Sequence, residues 1–146
     1  MDDEKLFEML DTCIARAVKC LENGTPPGPF AMTLETDSTA ALLDLEEPDP
    51  EKHYDMLIEA LRAEARHGQI KAVAILARVT IPEHFAPEVA EGLRIHVEER
   101  AASQASKIAA RLLYIPYRLY RAEGEEAIRV HLHNPIPVGF PSEIFI

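Results

Sequence analysis

The chain of 146 residues has no tryptophan, two cysteines, six glycines and an aromatic content of 6%. So few cysteines exclude a miniprotein held by several disulfides, and so few glycines exclude a collagen repeat. Long apolar runs are missing too. Stretches such as Val73 to Ala77 fall far short of the roughly 20 residues that span a bilayer. The start, Met1-Asp2-Asp3-Glu4-Lys5, has neither the basic residues nor the unbroken apolar run of a secretory leader, so a cytoplasmic location is expected. Bases are scarce: 15 against 25 acids, a net charge of −10. That argues against nucleic acid as a partner, because such affinity rests on neutralised phosphates. Neither GxGxxG nor GxxxxGK[ST] occurs, and no serine lies in a GxSxG setting.

What is present suits one ordinary domain. Apolar residues make up 47% of a length that can bury a sizeable core. Residues 3 to 22 carry Leu6, Phe7, Leu10, Cys13, Ile14, Ala17, Val18 and Leu21 at helical spacing, closed by Asn23-Gly24. Cys13 and Cys20 are seven residues apart on that helix, an axial rise of about 10 Å. A disulfide needs Cα atoms within about 7 Å, so both read as reduced packing residues. Thr25-Pro26-Pro27-Gly28-Pro29 then interrupts any regular element.

Phe30 to Glu35 and Thr39 to Glu46 read as two strands around a turn. Asp49-Pro50 is a helix start, with Tyr54, Leu57, Ile58, Leu61 and Ala65 as the inner stripe and Gly68 as the stop. Ile70 to Ile81 is apolar on both faces, as in a central strand or one covered by a second subunit. Leu93 to Glu99 alternates, with Leu93, Ile95 and Val97 inward and Arg94, His96 and Glu98 outward. Residues 101 to 113 are alanine-rich and fit either helix or strand. The reading adopted is a strand from Lys107 to Tyr120, kinked or bulged at Pro116 and at a sheet edge. Glu126 to His133 is the final strand. The expected fold is α+β, a mostly antiparallel sheet of about five to six strands with two helices packed on one face. Residues 1–134 form a single domain, and 135–146 an extended apolar arm that packs on its own core or on a partner subunit. The element order is similar to that of profilin-like and roadblock-like modules, a likeness that implies this layer arrangement and no activity.

The chemistry-bearing candidates lie on the outward face of the later strands. His131 and His133, two apart on a strand, point the same way, and His96 with Glu98 could complete a His/carboxylate set around a divalent metal, the one cofactor the pattern suggests. The metal ligands would be His96, His131 and His133. Arg94 and Arg129, beside Glu98, would hold an anionic small ligand. Glu64 and His67 share the ExxH spacing of di-iron helices but lack a second pair.

Charge is unevenly distributed. Residues 1 to 51 hold thirteen acids and three bases, whereas 52 to 146 hold twelve of each. Arg100, Lys107, Arg111, Arg118 and Arg121 fall in a stretch without acids, interleaved with Tyr114, Tyr117 and Tyr120. Complementary halves suit self-association. So does the tail, where Ile136, Val138, Phe140, Ile144, Phe145 and Ile146 are too apolar to be left in water. Two functional classes follow. The leading one is a small soluble homodimeric binding or protein-interaction module. The other is an enzyme, a metal-assisted hydrolase with its site at His96, Glu98, His131 and His133.

Overall fold

The computed structural model of the chain describes residues 3–45, 47–105 and 110–146. Helix α1 (Asp3–Glu22) leads into β1 (Phe30–Glu35) and β2 (Ala40–Leu43). Then follow α2 (Pro50–Arg66), β3 (Ile70–Thr80), a 3-10 turn at Glu83–Phe85, and β4 (Glu91–Glu99). A short α3 (Arg100–Ala105) precedes β5 (Ala110–Tyr120), β6 (Arg129–Leu132) and β7 (Ile136–Phe140). All strands join one antiparallel sheet in the order β2-β1-β3-β4-β5-β6, with β7 also on β5. The protein is therefore α+β. Among the described residues no helix is long and apolar enough to cross a membrane.

The two long helices lie on opposite faces of the sheet, which corrects the expectation that they share one. Leu6, Met9, Cys13, Ala17 and Leu21 of α1 pack on Ala72, Ala74 and Leu76 of β3. Leu57, Ile58, Leu61 and Ala65 of α2 pack on Val73 and Ile75 of the same strand. Successive strand residues point to opposite faces, so a strand apolar on both must be roofed twice. Each helix reads clearly in the sequence. Asp49 caps α2 by accepting from the Glu51 N–H, with Pro50 in the first turn. Phe7 departs from the expected inner stripe of α1 and stands 63% exposed. The Cys13 thiol faces the core, where burial pushes its pKa up to about 12.

β5 is an interior strand, correcting its expected place at an edge. One side pairs with β4; on the other, β6 takes the C-terminal half and β7 the N-terminal half. β6 and β7 run in line, so they amount to one long edge strand whose register slips between Leu132 and Ile136. The slip falls opposite Pro116, which has no N–H to give but whose carbonyl accepts from the His133 N–H. The segment expected as an extended arm after a final strand at 126–133 is itself paired as β7; its three prolines exclude a helix but not an edge strand. Pro137 is tolerated because an edge strand needs pairing on one side only. Of residues 101–113, those to Ala105 are helical and those from Ala110 extended; the expected strand start at Lys107 lies outside the described residues. Gly92, opposite Pro116, is crowded: a Cβ there would collide with the Ile81 side chain and lie 3.1 Å from the Ile115 carbonyl oxygen.

Candidate functional site

Sheet register decides which expected site residues meet. His96 is paired through Leu112 of β5, whereas His131 is paired with Arg118, six positions along the same strand. Six positions of extended chain amount to about 20 Å. His131 and His133 keep each other's company, with ring centroids 4.8 Å apart, and His133 Nδ1 contacts Glu88 Oε2 at 2.7 Å. Among the described residues no group of three or more His, Cys, Asp or Glu side chains is arranged to hold a metal. Arg129 lies on exposed β6, forked onto Glu125 at 2.8 and 3.0 Å. Arg94, His96 and Glu98 do share one face, but that face is roofed by α2 and the chain's last residues instead of open to water.

His96 and Glu98 are 1% and 0% exposed and hydrogen-bonded to each other. The remaining capacity of the Glu98 carboxylate goes to the backbone N–H groups of Glu143, Ile144 and Phe145, at 2.8–3.2 Å. Burial is the largest influence on Glu98 and raises its pKa. The hydrogen bond from His96, those from Glu143 and Ile144, and the His96 charge outweigh it, so the carboxyl is held below its ordinary range. Such a carboxylate has no lone pair left for a substrate or a metal; it anchors the chain's last turn. Around it Ile144 is 2% exposed and packs in the α2 cluster, while Arg62 Nε donates to the Glu143 carbonyl at 2.7 Å. Sequence reasoning misplaces this pair because HxE between apolar residues reads as a solvated face. The contrary signal lies in β3. His96 pairs with Ile75 and Glu98 with Val73, so whatever roofs β3 also roofs them.

The one expected ligand-binding residue that lines a cleft is Arg94. It lines a cleft of about 640 Å3 at the end of the sheet where β1 begins, β3 ends and β4 begins. Pro26, Pro27 and Pro29 form one wall, Pro50 and Tyr54 of α2 another, and Ala77 and Val79 the floor, with the acidic residues Glu51, Asp55 and Glu91 also on the lining. The Arg94 guanidinium lies over the Tyr54 ring, 5.3 Å from its centroid. Burial raises the Tyr54 pKa and the Arg94 charge opposes that rise. Among the described residues no carboxylate pairs with Arg94, whereas Arg78 at the rim is matched to Glu91 at 2.8 Å. A planar cation on an aromatic face, walled by prolines, suits a molecule with an apolar body and one anionic group. The proline run and the Asp49-Pro50 helix start read in sequence only as punctuation; their shared position appears once β1 is paired antiparallel to β3. No protein family, curated protein or solved structure matches this chain.

Proposed function

We propose that this protein is a small-ligand binding module, acting as a cytoplasmic homodimer, whose ligand is an amphipathic organic anion seated in the Pro26–Pro29 cleft with its charge on Arg94. The observation that carries the reading is Arg94 itself. A half-buried guanidinium ordered on Tyr54 without a carboxylate leaves charge-assisted donors aimed at a cleft of ligand size. The enzyme alternative has no comparable support, since its carboxylate is fully engaged by the chain's own backbone.

The test uses 8-anilinonaphthalene-1-sulfonate, an aromatic body with a single anionic group. The folded protein is expected to bind it saturably at one site, and Arg94→Gln to weaken that binding about tenfold while the near-ultraviolet circular dichroism is kept. Non-saturating fluorescence, or equal binding by both proteins, would contradict the assignment.

Dimerisation is supported by the free edge. Among the described residues β6 and β7 pair only with β5, and Leu119 and Tyr120 beside β6 are exposed. A second copy adding along this edge about a two-fold axis would pair the open backbone groups of β6 and β7 and lie beside one of these two side chains, which face opposite sides of the sheet. Light scattering should give twice the 16.3 kDa chain mass, reduced toward the monomer by Leu119→Lys. A wild-type mass of one chain across micromolar concentrations would sink the dimer.

A further inference from the structure

A second pocket, at the opposite end of α2 from the Arg94 cleft, is lined by three arginines and no acidic side chain. Arg62 and Arg66 stand one turn apart on the last turns of α2, and Arg100 opens α3. With Ser103, Ile144, Phe145 and Ile146 they enclose about 430 Å3. In a chain of net charge −10, this convergence of three guanidiniums is a local inversion of sign.

The arginines are positioned mainly by neutral groups. Arg100 Nε donates to the Ile70 carbonyl at 3.1 Å, its Nη2 to the Ala65 carbonyl at 2.7 Å, and the guanidinium lies 4.8 Å from the Phe145 ring centroid. Arg62 Nε is fixed by the Glu143 carbonyl, and its one carboxylate neighbour, the exposed Glu59, is 3.5 Å away. Among the described residues no carboxylate pairs with Arg66 or Arg100. Two fixed guanidiniums and one free one, with unused N–H groups, make a preorganised anion receptor. Cations are also favoured at a helix C-terminus. Here, however, Arg100 already serves the Ala65 carbonyl, which leaves Arg66 surplus to that role.

We propose that this pocket binds a compact doubly charged oxyanion, phosphate or a phosphoryl group on a larger molecule, through Arg62, Arg66 and Arg100. The site is separate from the Arg94 cleft and stands or falls independently of it. Because Ile144 and Phe145 line the same pocket, occupancy also secures the chain's last residues against α2.

The test is an amide NMR titration of the full chain with inorganic phosphate and, in a second arm, with glycerol 3-phosphate, at constant ionic strength. Saturable shifts confined to residues 62–68, 100–103 and 142–146 are expected in at least one arm. Tighter binding of the ester than of free phosphate would identify a monoester ligand. Among the described residues Arg66 makes no hydrogen bond or ion pair to another side chain, so Arg66→Gln should fold and bind about tenfold more weakly. Arg118→Gln, with the same charge change at an exposed position, should bind as wild type. Linear shifts without saturation, shifts centred elsewhere, or equal weakening by both substitutions would each overturn the proposal.

Discussion

Replacing Glu98 with alanine should lower the free energy of unfolding by about 3–5 kcal/mol, the cost of breaking a buried polar pair by removing one partner. The loss has identifiable parts. His96, 1% exposed, loses its acceptor, and the N–H groups of Glu143, Ile144 and Phe145 lose theirs in a place that water reaches poorly. A domain of this size has roughly 5–15 kcal/mol in all, so the variant should approach marginal stability. Glu98→Gln keeps the shape and one carbonyl acceptor but turns an amide NH2 toward donors, and should cost about 2 kcal/mol at neutral pH.

The sign of its pH dependence separates this from a packing effect. Glu98 is held below its ordinary value in the folded state, so its carboxylate stabilises the fold fully above the unfolded value, near pH 4.5. That contribution is lost as pH falls through the folded value. The difference between wild type and Glu98→Gln, read from urea unfolding, should therefore shrink as pH falls below about 4. A deficit independent of pH would show that the carboxylate's charge is not what matters.

These residues mark where the sequence is legible and where it is not. Both long helices, β3 and the Asp49 cap follow from local spacing and end signals, because an amphipathic period or a capping oxygen is a property of adjacent residues. The α2 roof over β4 is not local. It follows from pairing Ile75 with His96, a register that no stretch of sequence carries by itself. β7 is hidden for a different reason: proline penalises a strand only where an N–H is needed, and an edge removes half of that need. Of the site, Arg94 was within reach as an outward guanidinium. Its partner Tyr54 reads as helix core, and the cleft between them exists only because two proline-marked turns meet at one end of the sheet.

Deleting residues 141–146 should cost about 4 kcal/mol, and the more informative quantity is its coupling to Glu98. The deletion removes the buried Ile144 side chain, worth about 1.5–3 kcal/mol, together with the donors that hold the carboxylate. If those N–H groups are what make a buried charge tolerable, Glu98→Gln should cost little in the shortened chain. The two changes should then fall short of additivity by about 1.5–2 kcal/mol. The carboxyl pKa should also rise on deletion where the lost hydrogen bonds from Glu143 and Ile144, which lower it, outweigh the share of burial that the tail supplies. Carbon-detected titration of the Glu98 side chain reads that shift directly. Additivity within about 0.5 kcal/mol, with an unmoved titration, would mean that His96 alone keeps the carboxylate charged and that the tail only covers it. The coupled outcome instead makes the last turn of the chain and the middle of β4 a single folding unit, joined through one carboxylate.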